Sequence, residues 1–212
     1  MTFNGTSWST TAVTQSGFSD TTLNQIDCLS TTFCIASGLR NMQSAPEPTG
    51  AIFDGTNWTL YAITGLSSFT AGGPSSFGGI HCFSSTSCFI AGGISTGSQT
   101  SHQYVINYDG TNWTASLLGA NIDSGSGGAA TGISCPSTSL CFVSGRNATS
   151  DGTSYATIST WKNGSWTTGA IGSTLTGSNS AATALACPST TMCMATGQYQ
   201  PDPTSVAGFV SY

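Results

Sequence analysis

The segment Ile80-His-Cys82-Phe-Ser-Ser-Thr-Ser-Cys88-Phe-Ile-Ala-Gly92 is one of four versions of the same pattern in this chain. Each version has two cysteines six positions apart and a glycine four positions after the second cysteine. The first cysteines of successive versions lie 54, 53 and 52 residues apart. The four pairs are Cys28 and Cys34, Cys82 and Cys88, Cys135 and Cys141, and Cys187 and Cys193. This spacing predicts a tandem array of four similar units.

A second landmark recurs at the same period. It is an aromatic residue, a tight turn and a tryptophan, as in Tyr108-Asp-Gly-Thr-Asn-Trp113. The other copies run from Phe3 to Trp8, from Phe53 to Trp58 and, slightly rearranged, from Trp161 to Trp166. Asp-Gly and Asn-Gly favour two-stranded hairpins, because glycine readily adopts positive φ.

Each unit divides into four short strands, A to D. Strand A ends in the first cysteine and strand B starts near the second, with a predicted three-residue loop such as Ser84-Ser-Thr86 between them. Strand C precedes the Asp-Gly turn and strand D begins at the tryptophan. Isoleucine or leucine lies two residues before each first cysteine (Ile26, Ile80, Ile133 and Leu185), which places it on the same strand face as that cysteine.

The cysteine spacing favours a disulfide within each pair, because residues six apart can face each other across such a hairpin. The spacing is not a usual zinc pattern, and a metal would need two further ligands at each pair, so we expect no metal. Reduced buried thiols are the remaining alternative. Four disulfides would indicate an oxidising compartment, and hence a secreted or cell-surface protein.

The two termini complement each other in this scheme. The chain begins with a C–D turn and strand D, and Val206-Ala-Gly-Phe-Val-Ser-Tyr212 matches strand C. We therefore predict an all-β, four-bladed β-propeller with four antiparallel strands per blade, closed by the N-terminal strand D joining the C-terminal blade. Residues 1–212 would form one domain, with units of about 1–14 plus 184–212, 15–61, 62–115 and 116–168. Two chains forming one larger ring are the alternative.

The C–D turn Asp109-Gly-Thr-Asn-Trp113 resembles a shortened Asp-box of the BNR type. The segment from Ile133 to Gly145, followed by an Asp-Gly-x-x-Trp turn, is similar to cysteine-paired propeller repeats of secreted bacterial proteins. The resemblance implies architecture, because function resides in sites rather than in folds. The Asp-box family includes sialidases, which need an arginine cluster for the substrate carboxylate. This chain has only Arg40 and Arg146, so we do not expect that activity.

Charge is scarce, with 3 basic and 8 acidic residues in 212. Three basic residues cannot form the basic stripe that binds phosphates, so we expect no nucleic-acid partner. No apolar run approaches the length of a membrane helix, and we expect no membrane insertion. The start, Met1-Thr-Phe3, lacks the basic and apolar regions of a signal peptide and predicts a mature or trimmed chain.

The D–A and B–C connections are long and share one face of the predicted ring. They span roughly 14–24, 62–78, 116–131 and 169–183 for D–A, and 39–49, 93–102, 146–154 and 198–205 for B–C. An aromatic ring beside carboxylates and amides is what a neutral sugar needs, and loops on rigid scaffolds carry function. The candidate ligand-binding residues are Phe18, Asp20, Phe77, His102, Asn121, Asp123 and Tyr199. The alternative is that these aromatic residues anchor their own loops.

Two other patterns have a structural and a functional interpretation. The tryptophans could stack on sugars, but equal positions in every repeat favour packing between blades. Asp27 and His81 precede the first cysteines of neighbouring blades and suit either a hydrogen bond between blades or a catalytic dyad. No Ser–His–Asp set, paired carboxylates or nucleotide-binding glycine pattern can be identified, so we expect neither an enzyme nor a cofactor.

We therefore expect a non-enzymatic extracellular binding module that recognises carbohydrate or another surface ligand through the long loops. The alternative is a structural, self-associating extracellular subunit, which suits a chain of low charge with four disulfides.

Overall fold

The structure is a computed structural model that describes residues 1–3, 5–41, 46–63, 74–95, 101–119, 127–149, 151–171 and 178–211. The chain opens with a small hairpin of β1 (Thr2–Phe3) and β2 (Trp8–Ser9). The first large sheet contains β3 (Thr21–Ser30), β4 (Phe33–Asn41), β5 (Pro46–Phe53) and β6 (Trp58–Ala62). The second contains β7 (Pro74–Ser84), β8 (Ser87–Ser95), β9 (Ser101–Tyr108) and β10 (Trp113–Leu117).

The last two sheets continue the same meander. The third sheet contains β11 (Ala129–Ser137), β12 (Leu140–Ala148), β13 (Ser154–Lys162) and β14 (Ser165–Ala170). The fourth contains β15 (Ser178–Ser189), β16 (Met192–Asp202) and β17 (Ser205–Ser211). All pairings are antiparallel between neighbouring strands. This all-β arrangement of successive sheets is consistent with propeller blades, and it confirms the predicted division into strands A to D.

All four disulfides form within their pairs, as predicted. The Cα atoms of each pair lie 4.0 or 4.1 Å apart. Four disulfides suggest an oxidising compartment, which is consistent with secretion. The bridges join Cys28 to Cys34, Cys82 to Cys88, Cys135 to Cys141, and Cys187 to Cys193.

The strand register at the bridges differs between the two halves of the chain. In the first two sheets the bridged cysteines are also register partners, as Cys82 and Cys88 are. In the last two sheets the register shift starts one residue earlier, so Cys141 and Cys193 have no register partner on strand A. Their bridges therefore span an irregular stretch of the hairpin. Proline follows the first cysteine in these two sheets only, and it has no amide to donate to the neighbouring strand.

The A–B turns are shorter than predicted. In the second sheet Ser84 pairs directly with Ser87, so the turn has two residues instead of three. The other three hairpins have the same two-residue turn. The first serine belongs to strand A because it pairs across the hairpin, as Ser84 does with Ser87. Its hydroxyl accepts the backbone amide of Thr86 at 3.2 Å and stabilises the turn.

The C–D turns have the predicted chemistry. In the second sheet Gly110 has φ of 94°, and the Asp109 carboxylate accepts the amides of Thr111 and Asn112 at 2.9 and 2.7 Å. The bond from Asn112 lowers the pKa of Asp109 most, followed by that from Thr111.

The recurring glycine after each second cysteine has a different role. A Cβ on Gly92 would lie 2.2 Å from the carbonyl oxygen of Ser76 on the neighbouring strand. Only glycine therefore allows strands A and B to pair this closely at that position.

The sheets stack face to face in chain order. We call the face of each sheet that carries its disulfide the disulfide face, and the other the opposite face. Ile35 on the opposite face of the first sheet packs with Ile90 and Trp113 on the disulfide face of the second. Phe89 on the opposite face of the second sheet packs against Trp161 and Trp166 of the third, with ring centroids 5.6 and 5.8 Å apart. These contacts match the predicted packing role for Trp113 and Trp166. Trp58 instead packs on the cluster of its own sheet, and Trp8 is 68% exposed.

The first strands of the four sheets, β3, β7, β11 and β15, lie beside one another in that order. The predicted pairing of the N-terminal strand D with the last blade is absent from the described residues. There, β2 pairs with β1, and the fourth sheet has three strands where the others have four. Ring closure is therefore not shown and stays a prediction. Ile26, at the predicted disulfide-face position of the first sheet, is 59% exposed, and among the described residues only the small β1–β2 hairpin precedes this sheet.

Candidate functional site

A groove of about 400 Å³ opens between the third and fourth sheets, at the end where the long connections lie. Its polar and aromatic lining comes from β12, the starts of β13 and β15, and the far end of β16. The main lining residues are Arg146, Ser154, Asn179, Gln198, Tyr199 and Gln200. Strand alternation places the Gln198 side chain on the opposite face of the fourth sheet, so Gln198 contributes its backbone. Of the residues predicted from sequence, Tyr199 lies here.

The groove exists because two repeat positions differ at this junction. Near the long-loop end, the fifth residue after the second cysteine of one sheet faces the sixth residue after the second cysteine of the next sheet. Between the first and second sheets these positions hold Leu39 and Ile94, which pack in one apolar cluster. Between the third and fourth sheets they hold Arg146 and Tyr199, both of which line the groove.

The middle junction is closed in another way, by a buried amide. The fifth residue there is Gly93, and Gln103 from the neighbouring strand fills the space. The Gln103 amide donates to the side chain of Asn147 at 2.8 Å and to the hydroxyl of Thr157 at 2.7 Å. The junction between the third and fourth sheets has neither of these fillings among the described residues, and the groove lies there.

A hydrogen-bond framework positions one wall of the groove. Asn179 has φ of 58°, a left-handed conformation that asparagine tolerates better than most residues. Its side-chain oxygen accepts the backbone amide of Ser154 at 2.9 Å, and its side-chain nitrogen donates to Gln200 at 2.8 Å. These bonds link the B–C connection of the third sheet to β16, and they orient Gln200.

The groove can supply several kinds of polar contact. Arg146 is exposed and has no ion pair among the residues that the structure describes. A guanidinium offers five donors, an amide offers both donors and acceptors, and a tyrosine adds a ring face with a hydroxyl. The arrangement therefore suits a polar, uncharged or weakly acidic ligand with many hydroxyl groups.

Phe18 and Asp20 lie just before β3 of the first sheet, far along the stack from the groove. The Arg40 guanidinium lies over the Phe18 ring at 4.7 Å and pairs with Glu47. Phe18 also packs against the apolar cluster of Ala36 and its neighbours. This placement favours the alternative in which Phe18 anchors its own loop. Asp20 is exposed at positive φ of 54° in the turn before β3.

The remaining predicted residues are spread over the chain. Phe77 is 8% exposed and meets Tyr104 edge-on at 6.3 Å, so its side chain belongs to the core. His102 is partly buried on β9, opposite Ile94. Asn121 and Asp123 lie outside the described residues. The structure therefore does not bring the predicted set together in one site.

The residues before the first cysteines form hydrogen bonds between sheets. The Asp27 carboxylate accepts the backbone amide of Cys82 at 2.7 Å, and the Ser134 hydroxyl accepts that of Cys187 at 3.1 Å. This geometry matches the interpretation in which Asp27 forms a hydrogen bond between blades. It also explains why the residue before the first cysteine is polar in the first and third sheets. Ala186, at the same position of the fourth sheet, cannot form such a bond.

His81 makes stability depend on pH in a defined direction. Burial lowers its pKa below the ordinary 6.5, although the charge of Asp27 opposes this. Below pH 6.5 the unfolded chain therefore takes up a proton that the folded state resists, and stability falls as the pH falls. Because 1 kcal/mol shifts Tm by roughly 2–4 °C in a chain of this size, we expect a decrease of a few degrees at most between pH 7.5 and 5.5.

Thermal unfolding of wild type and His81→Gln at these two pH values tests this expectation. The variant should lose less Tm on acidification than wild type. Equal decreases in the two proteins would contradict a contribution from His81.

Within the described ranges, no three histidine, cysteine or carboxylate side chains come close enough together to hold a metal ion. No helix in the same ranges is long and apolar enough to span a membrane.

No protein-family model matches the sequence, and no curated protein matches it. Among solved structures, the chain is similar to the Hadza microbial sialidase Hz136, with a TM-score of 0.51 and 10% sequence identity. The match covers 91% of this chain and 44% of that protein, so this chain spans less than half its length. It is a distant similarity of fold to a sialidase of the BNR/Asp-box propeller type, and it supports propeller-like repeats.

Proposed function

We propose that the protein is a non-enzymatic extracellular module that binds carbohydrate in the groove between the third and fourth sheets. The observation that carries this proposal is the pair Arg146 and Tyr199, which leave a junction open where the other two junctions are filled by side chains. The four disulfides are consistent with work outside the cell, because oxidising compartments preserve them.

The lining residues support carbohydrate over an apolar ligand. Sugars present hydroxyl groups around a partly apolar ring, so they need hydrogen-bonding groups beside an aromatic face. Tyr199 is half-buried and lines the groove. Gln200, on the same strand, is held by Asn179. Groups that are already positioned lose less conformational entropy on binding.

The proposal also explains why one site is expected rather than four. The repeats share the strands and disulfides, but the groove depends on residues that differ between repeats. Arg146 corresponds to Leu39 in the first sheet and Gly93 in the second, and neither can hydrogen-bond a ligand through its side chain. A single composite site therefore follows from sequence divergence at one junction.

A glycan array tests the proposal. The oxidised protein, displayed multivalently, is expected to bind a restricted group of glycans. Tyr199→Ala should weaken that binding about tenfold, because one aromatic contact is worth about 1.5 kcal/mol. Tyr61→Ala is the matched control, since Tyr61 is 41% exposed on β6 of the first sheet.

Arg146→Gln separates two kinds of ligand. A larger loss of affinity for acidic than for neutral glycans would show that the Arg146 guanidinium pairs with a carboxylate of the glycan. Binding that survives both Tyr199→Ala and Arg146→Gln unchanged would contradict this site. A blank array with intact wild-type protein would contradict carbohydrate binding itself.

A further inference from the structure

The two ends of the sheet stack expose apolar side chains. At one end is the opposite face of the fourth sheet, which we call the leading face, with Met192, Met194, Val206 and Val210 at 51%, 40%, 62% and 59% exposure. At the other end is the disulfide face of the first sheet, the trailing face. It carries Ile26, the Cys28–Cys34 bridge, Phe53 and Trp58.

These faces correspond by repeat position to surfaces that pack together inside the chain. Met194 follows its second cysteine directly, as Phe89 does in the second sheet. Phe89 packs against Trp161 and Trp166, the aromatic pair on the next disulfide face.

The trailing face carries the same pair at the same repeat positions. These residues are Phe53 and Trp58, with ring centroids 5.3 Å apart. The leading and trailing faces are therefore the two halves of a junction that the chain already forms three times.

The trailing face is open at one end only. Near the long-loop end, Val13 and Phe18 pack on its apolar cluster, and Gln15 makes two hydrogen bonds with the backbone of Leu60, at 2.9 and 3.1 Å. A groove of about 610 Å³ remains, lined by residues that include Ile26 and Trp58. Ile26 and Trp58 lie towards the cysteine end of their sheet, as Met192 and Met194 do in theirs.

We propose that the leading face of one copy of this chain docks on the trailing face of a second copy, continuing the stack of sheets from chain to chain. The charged residues of the trailing face, Arg40 and Glu47, pair with each other beside Phe18 at the long-loop end. The open groove around Ile26 and Trp58 has no charged side chain in its lining, so docking there buries none. A second copy suits the observations because both faces are exposed in a single chain and the N-terminal segment already occupies part of the trailing face. Such a head-to-tail contact leaves one face open at each end, so assembly continues until a ring closes.

The association is expected to be reversible. Inside the chain, Asp27 and Ser134 add a hydrogen bond across their junctions. Ala186 supplies no such bond at the leading face, and no covalent linker holds two copies together. The equilibrium between monomer and oligomer should therefore shift with concentration.

Sedimentation velocity of the oxidised 212-residue protein over a wide concentration range tests this. We expect species of twice or more the 21.5 kDa of one chain at high concentration. Met194→Glu and Ile26→Glu should each remove the larger species, because each places a charge in the contact. Leu117→Glu, at a 36% exposed position on β10 outside both faces, should associate like wild type.

Mixing the two blocked variants gives the sharper result. Met194→Glu keeps an intact trailing face and Ile26→Glu an intact leading face, so a mixture should form a one-to-one dimer that grows no further. Two results would overturn the proposal. In the first, the mixture contains only monomers and the wild type is monomeric at every concentration. In the second, the wild type associates and both variants associate equally. The first of these outcomes is what closure of the ring within one chain would produce.

Discussion

Replacing Phe89 with alanine is expected to lower the free energy of unfolding by about 3–5 kcal/mol, the usual cost of removing a large aromatic side chain from a core. Phe89 is 6% exposed and contacts Phe83, Trp161 and Trp166 in edge-on geometry. Its removal leaves a cavity between two sheets that rigid β-strands cannot easily fill. Urea unfolding of the oxidised protein measures the change.

Met194→Ala is the matched control, because Met194 occupies the same repeat position with 40% exposure. Measured at low concentration, it should change the free energy of unfolding by no more than about 0.5 kcal/mol, as for other surface positions. Equal losses at Phe89 and Met194 would contradict the stacking order, in which the opposite face of the second sheet is covered and that of the fourth is exposed.

Removing the Cys82–Cys88 bridge by a double alanine substitution is expected to have the second large effect. Each bridge closes a seven-residue loop, which corresponds to roughly 2.4 kcal/mol of loop entropy in the unfolded chain. Cys88 is fully buried and Cys82 is 4% exposed, so the substitution also removes packed sulfur atoms from the core. We expect a total loss of about 3–5 kcal/mol in urea unfolding.

The equivalent double substitution at Cys28 and Cys34 provides the comparison. At the trailing face Cys28 is exposed and Cys34 is half-buried. The loss of unfolding free energy should therefore stay near the loop-entropy contribution of about 2 kcal/mol. A larger loss at Cys28 and Cys34 than at Cys82 and Cys88 would show that packing does not distinguish the two bridges.

The strands and disulfides could be predicted from sequence because they depend on local patterns that occur four times. Two cysteines six positions apart, such as Cys82 and Cys88, lie opposite each other when the residues between them form a tight hairpin turn. The turn length was wrong by one residue, because a register shift near the first cysteine lets Ser84 pair with Ser87. The earlier shift at Cys141 and Cys193 was also missed, although the proline after each first cysteine could have indicated it.

The candidate site was harder to predict because it depends on contacts between repeats. Tyr199 was expected at a binding face and lies in the groove, whereas Phe77 was expected there and lies in the core. Asn179, Gln198 and Gln200 were missed, since polar residues near loops are common. Comparing the repeats position by position would have helped, because Arg146 and Tyr199 replace the apolar pair of the first junction.

The proposed binding site is tested most directly by NMR titration of the isotope-labelled, oxidised protein with the glycan that binds best on the array. We predict that the largest chemical-shift changes occur at the side-chain amides of Asn179 and Gln200 and at the backbone of Tyr199, while the loop around Phe18 stays unchanged. Changes centred on another junction or on the Phe18 loop, with the groove amides unaffected at saturation, would contradict the account.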